Sequence, residues 1–292
     1  MPFATVGDLE MYYAAVGSPA SPPLLLLHGF GGCGDSWRRQ IEPFSEHYRV
    51  VVPDLREHGR TNNPRGAAAF NLRQLAADVA SLCDGLGITR AAFCGESSGS
   101  ILQLNLALAR PDLVAAAVWS AGTYFWPEDL RSSNGGLTVD GLAAEVFGSP
   151  RPDGTPSPAF LEFASAHASQ GEDHWQTLAR DFIAVWSHPH GADFPGENEL
   201  IGIEAPILLV HGDRDSTIPV ERAARFQHLL TNAELFVLPN TGHNPPEEQP
   251  GLFNPTVLDF LPGTTSRAWP EHSRVGGRRH HRSQPDDDRL IG

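Results

Sequence analysis

The runs Leu24-Leu25-Leu26-Leu27, Val50-Val51-Val52, Ala91-Ala92-Phe93-Cys94 and Ile207-Leu208-Leu209-Val210 are too short for helices and carry no polar residue at alternate positions. A strand with one solvated face alternates; these are strands buried on both faces, which restricts the chain to a parallel sheet covered by helices. The intervening segments supply them, with helices expected over 36–47, 71–86, 98–110, 220–230 and 252–261. Val114-Ala115-Ala116-Ala117-Val118-Trp119 and Glu234-Leu235-Phe236-Val237-Leu238 add strands, and residues 3–16 alternate as a hairpin around Gly7-Asp8. The expected fold class is α/β, a doubly wound, mostly parallel sheet of about eight strands whose second strand is antiparallel.

The strand and helix rhythm breaks between Gly122 and Gly202, a stretch rich in Pro, Gly and aromatic residues with helices expected near 138–147, 158–168 and 172–186. The expected organisation is therefore a core of residues 1–121 and 203–262, an inserted helical cap over 122–202, and a tail from 263 to 292. The tail holds Arg278-Arg279-His280-His281-Arg282 and Asp286-Asp287-Asp288 with almost no apolar periodicity, the composition of a disordered segment.

Composition narrows the function. A formal net charge of −14 repels phosphates at long range, which argues against nucleic acid or an anionic membrane as partner and for a small-molecule substrate. All 21 basic residues are arginine, so a Schiff-base lysine, a Ser–Lys dyad and a P-loop lysine are excluded. Cys33, Cys83 and Cys94 lack framework spacing and read as buried thiols of a reducing compartment. No basic-then-apolar leader or membrane-length apolar run is visible, and a cytoplasmic location is expected. Oligomeric state is not legible.

In open α/β sheets, chemistry collects where the strands end. The loop after 24–27 reads His28-Gly29-Phe30-Gly31-Gly32, and that after 207–210 reads His211-Gly212-Asp213-Arg214-Asp215. The loop after 234–238 reads Pro239-Asn240-Thr241-Gly242-His243. After 91–94 comes Gly95-Glu96-Ser97-Ser98-Gly99, with small residues two before and two after a serine, as a sharp strand-to-helix turn requires. A serine hydroxyl needs an imidazole to take its proton, and the imidazole needs a carboxylate to fix its tautomer. Ser97, Asp215 and His243 supply all three. Asp213, closer to the strand end, is expected to hydrogen-bond the turn instead.

With elbow, acid loop and histidine loop in register, the chain over roughly residues 3–262 resembles the α/β-hydrolase fold superfamily, in particular its cofactor-free capped esterases and lactonases. The resemblance implies Ser97 as nucleophile, His243 as general base and acid, Asp215 as orienting carboxylate, and the backbone N–H groups of Phe30 and Ser98 as oxyanion hole. It implies no cofactor. It also marks Glu57, in Pro53-Asp54-Leu55-Arg56-Glu57-His58-Gly59, as standing where a glycine is usual, which predicts strain or a shifted loop if φ is positive there.

Tyr124, Phe125 and Trp126 follow a strand end closely enough to be expected in a substrate pocket, favouring an apolar ester or lactone. Glu96 is expected to be structural, and His28 and His58 to be loop-packing residues. His188-Pro189-His190 with Asp193 is read as surface, and no metal site is expected. Carbon–carbon bond hydrolysis or perhydrolysis would use the same triad. Two readings of other classes compete. Gly29-Phe30-Gly31-Gly32-Cys33-Gly34 followed by Asp54 matches a dinucleotide-binding fingerprint and would suit an NAD-dependent oxidoreductase, but leaves the elbow, Asp215 and His243 unexplained. A non-catalytic ligand receptor on the same fold is the other.

Overall fold

The computed structural model describes residues 3–124, 154–186 and 194–261. Strands β1 (Phe3–Val6), β2 (Leu9–Val16), β3 (Pro23–Leu27), β4 (Arg49–Pro53), β5 (Ala91–Glu96), β6 (Val114–Ser120), β7 (Ile207–Gly212) and β8 (Ala233–Leu238) form one sheet. Their order is β1-β2-β4-β3-β5-β6-β7-β8. β2 runs antiparallel to both β1 and β4, and from β4 through β8 every pairing is parallel.

The helices are α1 (Arg38–Ser45), α2 (Leu72–Gly85), α3 (Ser98–Ala109), α4 (Pro158–His167), α5 (His174–Trp186), α6 (Glu197–Leu200), α7 (Val220–Leu229), α8 (Pro245–Glu248) and α9 (Pro250–Phe260) among the described residues. The apolar strands divide their side chains between two cores. Leu25, Leu27, Phe93, Trp119 and Leu209 pack with Val79 of α2, Leu102 of α3 and Phe226 of α7. Leu24, Leu26, Cys94, Val118 and Val210 face the other way, toward Phe44 of α1 and Phe253 and Val257 of α9. Side-chain alternation with both faces covered is the physical content of the uninterrupted apolar runs.

The helix expected over 36–47 forms as a 3₁₀ turn, Gly34–Trp37, leading into α1. Pro43 inside α1 has no N–H to offer the Arg39 carbonyl one turn back. That carbonyl accepts from Asn254 Nδ2 on α9 at 2.9 Å, so the helix break is satisfied by the neighbouring helix.

α4 and α5 match the helices expected near 158–168 and 172–186. Ser157 caps α4 by accepting from the Phe160 N–H at 3.0 Å. The expected helix at 138–147, Phe125, Trp126, the 188–193 histidine cluster and the 263–292 tail lie outside the described residues. No helix among the described residues is long and apolar enough to cross a membrane.

Candidate active site

Because β3 to β8 are parallel, their carboxyl ends share one edge of the sheet, where the loops carrying Phe30, Ser97, Asp215 and His243 meet. The turn after β5 is as tight as its glycines suggested. A Cβ on Gly95 would collide with the Gln103 amide and the Gly99 carbonyl, and one on Gly99 with the carbonyls of Leu27 and His28. Ser97 between them has φ 51° and ψ −119°, a conformation costing a non-glycine residue about 1–3 kcal/mol. Its N–H donates to the Ser120 carbonyl at 2.9 Å, and its own carbonyl accepts from the Ser100 N–H at 2.9 Å. These bonds from β6 and α3 hold the strained peptide in place.

The loops after β7 and β8 press together, since a Cβ on Gly212 would strike the carbonyls of Thr241 and Gly242. Contact at that range brings His243 Nδ1 to 2.8 Å from Asp215 Oδ2, and His243 Nε2 to 3.1 Å from Ser97 Oγ. The carboxylate can only accept, so the ring proton sits on Nδ1 and Nε2 offers its lone pair to the serine hydroxyl. Asp213, expected to hydrogen-bond its turn, instead accepts from the Thr241 N–H at 3.1 Å and so stitches the two loops.

Asp215 is buried, which alone would raise its pKa. Hydrogen bonds from His211 and His243, and from the Thr217 and Ile218 N–H groups at 2.9 Å each, hold it well below the ordinary carboxylate range. The same pairing acts on His243. Burial pushes the imidazole down, but the hydrogen bond and charge of Asp215, assisted by Glu96 and Glu248, leave its pKa raised. His211 was not singled out from the sequence. Its Nε2–H lies 2.7 Å from the Ile218 carbonyl and 3.3 Å from Asp215 Oδ2, so it braces the same carboxylate oxygen that His243 contacts. The available signal was its place as the first polar residue after the apolar run of β7.

Glu96 is half-buried beside Ser97, and its carboxylate accepts from the Gly29 N–H. Burial raises its pKa to about 7, opposed by the charge of His243. It thereby links the elbow to the loop that carries Phe30. Phe30 and Ser98 line a small cavity of about 20 Å³ together with His58, Asn71 and mostly apolar side chains including Leu55, Phe70, Leu102 and Phe182. Tyr124 is elsewhere. Its ring stacks on Phe226 at 5.0 Å and its hydroxyl donates to Glu197 Oε1 at 3.2 Å, so the structure does not bring it to this cavity.

The glycine-rich loop is tied down from within. His28 Nδ1–H donates to the Gly29 carbonyl at 2.8 Å, and Nε2 accepts from the Leu55 N–H at 3.0 Å. Asp54, the acid of the dinucleotide fingerprint, takes the Gly34 N–H at 2.7 Å and the Arg60 guanidinium at 2.6 Å. The spacing of Gly34 and Asp54 is thus explained by a bond between those two residues. Glu57 has φ 70°, the condition under which its standing in place of glycine implies strain.

A family model described as alpha/beta hydrolase fold matches residues 22–250, and the chain belongs to that family. It is 30% identical over 281 residues to a non-heme chloroperoxidase of Streptomyces lividans, covering 88% of this chain and 98% of that one. It is 36% identical over 145 residues to the magnesium-chelatase 30 kDa subunit of Rhodobacter capsulatus, a match spanning 50% of each protein. A bacterial membrane phospholipase A superposes with a TM-score of 0.74 at 27% identity, covering 90% of this chain and 86% of that one.

Proposed function

We propose that this hydrolase-family protein cleaves a small, apolar ester or lactone through an acyl-enzyme formed on Ser97. One observation carries the reading, the continuous relay from Ser97 Oγ to His243 at 3.1 Å and from His243 to Asp215 at 2.8 Å. Ser97 Oγ attacks the carbonyl carbon as its proton passes to His243 Nε2. The Phe30 and Ser98 N–H groups receive the developing oxyanion; removing one such donor elsewhere has cost about 2.7–4 kcal/mol. The intermediate then collapses, His243 returns the proton to the leaving oxygen, and water activated by the same imidazole releases the acid. Asp215 remains ionised throughout and stabilises the imidazolium.

The mostly apolar lining beside Ser98 supports an apolar acyl group, with α4 and α5 acting as part of a cap over it. A second reading keeps the acyl-enzyme and replaces water with hydrogen peroxide, yielding a peracid. The similarity to a protein named a non-heme chloroperoxidase favours considering it. The enzyme is read as cytoplasmic, cofactor-independent and specific for a small-molecule substrate.

Labelling with a fluorophosphonate probe tests the nucleophile. Stoichiometric labelling of the wild type, lost in Ser97→Ala together with hydrolysis of p-nitrophenyl esters, is expected. Full esterase activity in a folded Ser97→Ala protein would sink the assignment. Peroxide added to the wild type then separates peracid formation from plain hydrolysis.

A further inference from the structure

The two oxygens of Asp215 are held by different means. Oδ1 accepts from the Thr217 and Ile218 N–H groups at 2.9 Å each, bonds made inside the acid's own loop. Oδ2 takes His243 Nδ1–H at 2.8 Å and has His211 Nε2 at 3.3 Å. His211 is 1% exposed and stands at the end of β7, paired in the sheet with Val237 of β8, so its backbone is fixed on a rigid element.

The shorter bond of His211 goes to the Ile218 carbonyl, at 2.7 Å. A carbonyl only accepts, so this bond fixes the ring proton on Nε2. The helix that follows has no use for that carbonyl. α7 begins at Val220 behind its cap Pro219, and it is the Pro219 carbonyl that accepts the Arg222 N–H at 3.0 Å. Ile218 is 4% exposed, and a buried carbonyl left unpaired costs about 1–3 kcal/mol. His211 meets that need and in doing so closes the 211–218 loop across its mouth. Ile218 is then held from both sides, its N–H on Asp215 Oδ1 and its carbonyl on the His211 ring.

We propose that His211 is a positioning residue for hydrolysis: through Ile218, and by its own contact with Oδ2, it fixes the rotation of the Asp215 carboxylate so that Oδ2 stays in line with His243 Nδ1. The effect on turnover rests on the serine-hydrolase reading; the brace itself does not. His211 touches no reacting atom and acts only through Asp215. The 2.7 Å bond is of full strength and the 3.3 Å contact is long, so most of the action passes through Ile218. A packing residue would be required only for its shape. This role requires the proton on Nε2.

Two substitutions separate shape from proton. His211→Phe keeps a ring and loses the donor, whereas His211→Gln loses the ring and places an amide N–H at a similar reach. Both are assayed on a p-nitrophenyl ester across the pH range, beside their Tm values. In His211→Phe kcat should fall by about 10²-fold, the scale of a misplaced catalytic group. The acid limb of kcat/KM should move to lower pH, because a turned carboxylate supports the imidazolium less, with Glu96 and Glu248 still acting on His243. His211→Gln should restore most of both. In a second arm, ¹⁵N-histidine spectra of the wild type are followed through the titration of His243. His211 should be in the Nε2–H form, and its Nε2 resonance should move with the His243 transition, since the two rings donate to one oxygen.

An unmoved acid limb in His211→Phe, or a loss of kcat that follows Tm and is not recovered in His211→Gln, would overturn the proposal. So would a His211 proton on Nδ1, or a His211 resonance indifferent to His243. If His211→Phe does not fold, the wild-type spectra decide alone. Failure of the fluorophosphonate to label Ser97 would remove the hydrolase reading, and the spectra would still decide whether His211 braces Asp215.

Discussion

Asp215 and Glu57 are both buried carboxyl groups, 7% and 2% exposed, on loops that follow parallel strands of the same sheet. Their proton affinities nevertheless move in opposite directions. Asp215 collects hydrogen bonds from His243, His211, Thr217 and Ile218 and is held well below the ordinary range. Glu57 has the Asn63 amide at 3.0 Å and, on its other side, the carboxyl group of Asp181 from α5. Burial raises Glu57 to about 7, opposed by Asn63 and reinforced by the charge of Asp181. Desolvation is common to the two sites, so the donor count decides which carboxyl stays ionised. One is built to hold a charge; the other shares a proton across the joint between core and α5.

The sharpest way to break that contrast is to remove the charge at the first site. Asp215→Asn leaves His211 and the backbone donors in place but can present an N–H to His243 Nδ1, which reverses the tautomer Ser97 needs. A fall in kcat of about 10⁴-fold is expected, measured on a p-nitrophenyl ester at neutral pH. The acid limb of kcat/KM should also drop, because the pairing that raises the pKa of His243 is gone. A loss of less than tenfold would mean that Asp215 is a structural acid only.

Much of this edge was readable in the chain, and what was not has a common cause. Apolar runs, glycine spacing and strand-end loops are local properties, so they gave the parallel sheet, the elbow and the preference for Asp215 over Asp213. His211 was hidden because it continues β7, where a strand-end histidine looks like packing. The Glu57–Asp181 contact and the facing of His58 on His167 join segments far apart in sequence, and no local pattern encodes the docking of α4 and α5 on the 54–63 loop. Tyr124 misled for the same reason. Closeness to the end of β6 in sequence said nothing of the turn at Ala121, φ 48°, beyond which the chain carries the ring onto Phe226.

A smaller effect is expected from Glu57→Gln, read as stability. An acid whose folded pKa lies above its ordinary 4.5 contributes stability that is fully present below about 4.5 and is lost as the pH rises through about 7. Asp215 has the opposite sign, contributing above about 3.8 and losing that contribution as the pH falls toward its depressed folded value. Glu57→Gln keeps the shape and removes the titration. Its Tm should match the wild type near pH 5 and exceed it above pH 7, by about 2–4 °C for each kcal/mol recovered in a domain of this size. Asp181→Asn should behave alike, since the two carboxyls share the proton. Parallel Tm profiles for wild type and Glu57→Gln across that range would show that the carboxyl pair does not form. The joint is also held by Ser169 and Gln170 on the Gly59 carbonyl at 3.0 and 3.1 Å, and by His174 on the Glu57 carbonyl at 2.9 Å, so a loosened carboxyl pair need not detach the helix.

The smallest effect concerns Glu96, which belongs to neither extreme. It has a backbone donor, the Gly29 N–H, and lies near enough to His243 to help raise the imidazole's pKa, yet burial brings its own pKa to about 7. The charges of Glu96 and His243 each favour the charged form of the other. Glu96→Gln keeps a carbonyl oxygen for the Gly29 N–H and removes the negative charge. The acid limb of kcat/KM should move to lower pH, in the same direction as in Asp215→Asn but by less, with kcat on the plateau little changed. An unmoved limb would assign Glu96 wholly to bracing the Phe30 loop. A large fall in plateau kcat would instead make its charge part of the catalytic electrostatics, and the division between a charge-holding edge and a proton-sharing joint would have to be redrawn around it.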